Sequence, residues 1–140
     1  MQKIVTLTLI VMLLAISYAV IFCQPDTKEY YYMTATAYSN HRNCIADKWR
    51  DGRTAMNTPI REGVVAINVR LINGEWVINS VLKLGQKIYV EDLRTYYSVE
   101  DTGTFSGHER RDRWTIDIYL DNYQEAKEWG RKLVKVYIVE

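Results

Sequence analysis

Cysteine, proline and phenylalanine are scarce in this chain, with two of each. Cys23 lies at the end of an apolar leader, which leaves Cys44 without an evident partner and excludes a disulfide framework. Cys44 reads as a buried or idle thiol, since His41 and His108 are its only possible bases and neither stands in a catalytic setting. No sign of charge is in excess. Removing the leader takes Lys3 and no acid, leaving 17 basic against 17 acidic side chains, and this excludes the basic face a nucleic-acid partner requires. A Gly-rich phosphate loop, a paired-cysteine motif and an HExxH helix are all missing, so no metal and no cofactor is expected. No internal repeat or low-complexity segment is present.

Long apolar runs occur once. Ile4 to Phe22 carries no charge behind the single Lys3, and Ser17 and Ala19 form a small-x-small pattern, the marks of an export signal. Residues 1–23 are therefore expected to be a signal peptide cut after Ala19, or an uncut anchor in which residues 4–22 tether the chain to a membrane. Lipoprotein processing at Cys23 is disfavoured by the bulky Phe22 before it. The rest, with 48% hydrophobic and 25% charged residues over the whole chain, is enough for one compact domain, placed at 30–140.

Within that domain short strands dominate. Tyr32 to Tyr38 alternates, as does Gly63 to Leu71, with Val65, Ile67, Val69 and Leu71 on one face. Between them, Asn40 to Pro59 is a long polar loop with a turn at Asp51 and Gly52. Asn73-Gly74 is a strong type I′ hairpin signal, so Trp76 to Asn79 should return as a partner strand. Gln86 to Asp92, Tyr96 to Asp101 and Leu133 to Val139 supply further strands. Asn122, with Glu125 three residues on, starts a short helix that Gly130 stops. Such a pattern predicts a mainly β domain closed into a barrel, with one short C-terminal helix.

Two carboxylates flank a polar loop. Asp101 closes one strand, and Asp117 lies on another where Trp114, Ile116, Ile118 and Leu120 alternate with Thr115, Asp117 and Tyr119. The first set predicts a core face that includes Trp114, and the second places Asp117 on a solvated polar face, the ordinary surroundings of a surface aspartate. Asp101-Thr102-Gly103-Thr104 also looks like the active-site tripeptide of aspartic proteases. However, Glu100 stands where those enzymes have an apolar residue, and a second such loop or a homodimer would have to supply the partner carboxylate, so an aspartic-protease-like enzyme stands only as a further alternative.

A longer match runs through MTATAYS, DGRTAMNTPIREGVVAIN, KLGQKIYVE, VEDTG and TIDIYLDNYQEAKEWGRKLVKVYIV. Together these blocks resemble the three-aspartate (3D) domain of bacterial cell-wall enzymes, related to the C-terminal part of membrane-bound lytic transglycosylase A. The resemblance spans roughly residues 31 to 139. It implies a six-stranded double-psi β-barrel outside the cytoplasm, secreted or anchored at the cell wall. It further implies cleavage of peptidoglycan glycan strands between N-acetylmuramic acid and N-acetylglucosamine. The family's three aspartates fall at Asn68, Asp101 and Asp117, with Asp117 as acid/base and Asp101 as the second catalytic carboxylate.

Asn68 departs from the family's acid. The hairpin at Asn73-Gly74 and the loop Phe105 to Arg113 are insertions. Thr54 and Thr102 are candidates to hydrogen-bond the sugar or the carboxylates, and equally read as ordinary loop hydroxyls. Tyr38 and Tyr119 are expected to face a glycan groove. The run His108 to Arg113 reads as a solvated loop, or as a contact for the acids of stem peptides. Asn68 in place of an acid also keeps open a non-catalytic wall-binding module.

Overall fold

A computed structural model describes residues 29–139; the expected export segment, residues 1–23, lies outside the described residues. Seven strands occur among them: β1 (Tyr30–Tyr38), β2 (Val64–Ile72), β3 (Glu75–Ile78), β4 (Lys87–Val90), β5 (Thr95–Gly103), β6 (Thr115–Tyr119) and β7 (Lys132–Ile138). Two short helices, α1 (Glu109–Asp112) and α2 (Tyr123–Glu128), flank β6.

The sheet runs in the order β3-β2-β5-β4-β7-β1-β6, and β6 pairs back onto β2. Six strands thus close into a barrel, with β3 attached outside as the return arm of a hairpin. Pairs β1–β6 and β2–β5 are parallel, and the other ladders antiparallel. Alternation sends Met33 and Ala35 of β1, Val65 and Ile67 of β2, Ile116 and Ile118 of β6 and Val134 and Val136 of β7 into one core.

The hairpin forms where Asn-Gly predicts it. Leu71 pairs with Trp76 and Ile72 with Glu75, and Asn73 and Gly74 both have positive φ, 51° and 86°, as a type I′ turn needs. The Asn122 side chain accepts from the backbone N–H of Gln124 at 2.8 Å and of Glu125 at 3.3 Å, which caps α2.

Several expectations need correction, beginning with the helix count, which among the described residues is two rather than one because the inserted loop forms α1. Trp114 is not core: it is 40% exposed, because β6 begins one residue later, and its ring instead packs against Tyr31 with centroids 5.5 Å apart. The strand expected to run to Asp92 stops at Val90, where Glu91–Leu93 turns into a 3-10 helix. His108 to Arg113 is not simply a solvated loop, since it contains α1 and buries Asp112. Of the two readings of Cys44, buried or idle, the first is removed, since the residue is exposed.

The face of β6 opposite the core is also covered, contrary to the solvated face expected for Asp117. Tyr38, Val64, Ala66 and Tyr119 form a second cluster there, with Ile45 and Ile60 of the long β1–β2 loop packed on it. In a closed barrel the outer surface of a strand stays wet only where no loop folds over it.

Candidate functional site

A bulge aligns the two aspartates. Along the parallel β2–β5 ladder Val65 pairs with Val99, but Ala66 pairs with Asp101, so Glu100 is an extra residue on β5. Without it Asp101 would follow Val99 into the core; with it Asp101 turns to the outer face, the re-aiming that bulges perform. On the other edge of β2, Ala66 pairs with Asp117, and Asp117 in turn pairs with Thr36 of β1. Asp101, Ala66, Asp117 and Thr36 therefore form one row across four strands. The aspartate backbones lie two ladders apart, about 10 Å at ~4.8 Å per ladder, with Ala66 between them buried in the cluster of Tyr38, Val64 and Tyr119.

Each carboxylate has its own partners. Asp117 Oδ1 accepts from the Thr36 hydroxyl at 2.7 Å. Asp101 Oδ2 accepts from the Tyr38 phenol at 2.7 Å, and its Oδ1 from the backbone N–H groups of Ala55 and Thr102, both at 2.9 Å. Burial pushes the Asp117 carboxyl up to about 6, against the Thr36 hydrogen bond, with the nearby Asp101 charge adding to the rise and Arg131 opposing it. Burial, then the Asp101 charge, drives the Tyr38 phenol far above its ordinary value, so it stays a donor. Tyr119 is raised by burial and by Asp121, and its ring meets Tyr38 edge-on at 5.4 Å.

The long loop is held over this row by the bulged residue. Glu100 takes two hydrogen bonds from Arg61, at 2.7 and 2.9 Å, and one from the Thr58 hydroxyl. Arg61 holds the Glu100 carboxyl below its usual range. Met56 N–H donates to the Glu100 carbonyl at 3.0 Å, which brings Ala55 N–H onto Asp101.

Asp117 opens on a cleft of about 320 Å³ lined also by Thr36, Phe105, Ser106, Asp112 and Arg131. Beside it lies a cavity of about 160 Å³, whose lining includes Asn68, Arg70, Phe105 and Asp112. The residues expected at the site therefore separate. Asp101, Asp117, Tyr38 and Tyr119 are brought together, but Tyr38 and Tyr119 do not face a groove as expected: they are 7% and 5% exposed, lie in the second cluster under Ile45 and Ile60, and do not line the cleft. Thr102 contributes its backbone N–H to Asp101. Thr54 is buried in the loop, its hydroxyl 2.7 Å from that of Thr58, and Asn68 faces the neighbouring cavity.

Sequence reasoning missed Thr36, Arg131, Ser106 and Asp112. Thr36 shares the strand face of Tyr38, a signal that alternation contained. Asp112, only 2% exposed, carried none, because it sits in a run of charges.

No protein-family model matches the chain, and no curated protein matches it. Among solved structures, the Streptomyces papain inhibitor (SPI) is similar at 19% identity over 80% of this chain and 96% of that chain, with a TM-score of 0.47.

Proposed function

We propose that this chain is a double-psi β-barrel of the three-aspartate type that acts outside the bacterial cytoplasm as a peptidoglycan lytic transglycosylase. The single observation carrying the reading is Asp117: a carboxyl raised to about 6, set in the wall of an open cleft. The two parallel ladders within six closed strands support the double-psi arrangement, and the five sequence blocks support the family. Residues 1–23 would direct export, with 4–22 a tether if uncut.

Protonated Asp117 gives its proton to the glycosidic oxygen as the bond from muramic C1 breaks. The resulting carboxylate then takes the proton of the muramic C6 hydroxyl while O6 bonds to C1. The products are a 1,6-anhydro muramic end and a free N-acetylglucosamine hydroxyl. Asp117 is regenerated, and no water is consumed. Asp101, fixed by Tyr38, Ala55 and Thr102, supplies the negative charge that helps keep the Asp117 proton in place.

Digestion of purified sacculi with mass analysis tests this: 1,6-anhydro products are expected from the wild type and none from Asp117→Asn. Reducing muramic ends would mean hydrolysis. Retention on sacculi without release of muropeptides would instead favour the wall-binding reading, which the amide at Asn68 motivates.

A further inference from the structure

The two insertions are built into one another. Arg70, at the base of the β2–β3 hairpin, pairs with Glu109 of α1 at 2.8 Å. Asn79, just past β3, donates through Nδ2 to the Glu109 carbonyl at 3.2 Å. Phe105 N–H donates to Asn68 Oδ1 at 3.1 Å, and the next residue, Ser106, donates through its hydroxyl to Asp112 Oδ1 at 2.5 Å. The inserted loop therefore bridges directly from Asn68 to Asp112, and both line the cavity of about 160 Å³ that adjoins the Asp117 cleft.

Two polar atoms in that wall are unused. Asn68 is 1% exposed, its Oδ1 is fixed as the acceptor by Phe105 N–H, and its Nδ2 is buried without a hydrogen-bond partner. Native proteins rarely leave a buried donor in this state without a ligand or a role. Asp112 has Oδ1 engaged by Ser106, while its Oδ2 takes no hydrogen bond among the described residues. Asn68, Asp112 and Phe105 all line the cavity, so a group seated there lies next to a buried orphan donor, a carboxylate oxygen that Ser106 leaves unengaged, and an aromatic side chain.

We propose that this cavity is an acetamido subsite, in which Asn68 Nδ2 donates to the carbonyl oxygen of a sugar N-acetyl group and Asp112 Oδ2 accepts from its N–H. The Phe105 ring covers the acetyl methyl. An acetamido group carries one acceptor and one donor on opposite sides of a planar unit with an apolar end, and the wall offers the complement of each. A carboxylate at position 68 would give two acceptors and no donor, so the amide there and the buried acid at 112 belong to one design. The inference rests on the glycan-cleaving reading for its ligand class, and it names the N-acetyl group as the feature recognised next to Asp117.

Calorimetric titration with tetra-N-acetylchitotetraose and with its de-N-acetylated counterpart tests it, using the described domain in its full chain. Wild type should bind the acetylated probe at least about tenfold more tightly, the scale of a buried hydrogen bond to a charged group. Asn68→Asp, which keeps the acceptor for Phe105 N–H, and Asp112→Asn, which keeps one for Ser106, should each abolish that preference. Asp117→Asn should retain it. Circular dichroism confirms folding, and the two substitutions are independent, so one folded variant suffices. Equal binding of the two probes, binding of neither, or an undiminished preference in a folded Asn68→Asp or Asp112→Asn protein would overturn the proposal. If the preference holds while sacculi yield no anhydro products, the subsite stands and the transglycosylase reading falls.

Discussion

Replacing Asp117 by Asn should make the protein more stable at neutral pH, and the size of the gain follows from the surroundings of the carboxyl. Folding raises its pKa from 3.8 to about 6, so over that interval the folded chain holds a proton that the unfolded chain has released. Stability tied to that proton is fully present below about pH 4 and lost as pH rises through about 6. At 1.36 kcal/mol per tenfold change in proton affinity, the loss at pH 7 is about 3 kcal/mol. Asparagine has nearly the same volume, can accept the Thr36 hydrogen bond through its carbonyl, and never ionises. Urea unfolding followed by tryptophan fluorescence should therefore show the variant equal to wild type near pH 4 and more stable by about 2–3 kcal/mol at pH 7 to 8. A gap that does not change with pH, or a wild type more stable at pH 8, would refute the reasoning. The same variant should lose about 10²- to 10⁴-fold in muropeptide release, so stability and activity move in opposite directions at one atom.

Other changes test the neighbours. Thr36→Val removes the bond that favours ionised Asp117, so its pKa should rise further; carboxyl carbon NMR reads this directly, and a fall would contradict the assignment. Wild-type kcat/KM should itself decline as pH rises through about 6, because the acid form is consumed. Arg61→Ala frees Glu100, whose lowered pKa stabilises the fold above its ordinary 4.5 and ceases to do so as pH falls through the lowered value. The variant should lose about 1–2 kcal/mol at pH 7, the half-exposed guanidinium limiting the effect, with the gap closing in strong acid. Tyr38→Phe keeps the ring on Tyr119 but drops the donor to Asp101, at a cost of about 1–2 kcal/mol and a smaller loss of activity than Asp117→Asn.

Local features of the fold could be read from the sequence wherever they depend on neighbours in the chain. Alternation located β1, β2, β5 and β7, Asn73-Gly74 located the hairpin, and Asn122 located the start of α2. What escaped depends on residues far apart. Alternation shows that Asp117 points away from Ile116 and Ile118, but not that Ile45 and Ile60 arrive from a distant loop to cover that side. It cannot show that Glu100 bulges, and without the bulge Asp101 would face the wrong way. Trp114 fitted the core pattern and missed the core because β6 starts after it. Asp112 sits among Arg110, Arg111 and Arg113, where composition argues for solvent, and only the fold of the inserted loop turns it inward.

The closing seam has a consequence for how the domain comes into being. β6 meets β2 through Val65–Ile118, Ala66–Asp117 and Ile67–Ile116, and β7, the last strand of the described chain, sits between β4 and β1. Thr36 and Asp117 are 81 positions apart, and Tyr38 and Asp101 63. Contacts of such separation form late and slowly. A chain in which β6 has been made but has not yet docked between β1 and β2 lacks the enclosure that raises the Asp117 proton affinity. The acid is thus armed by the docking of β6 rather than by synthesis of the residue, and a ribosome-tethered chain whose β6 is not yet docked should carry an ordinary aspartate at that position.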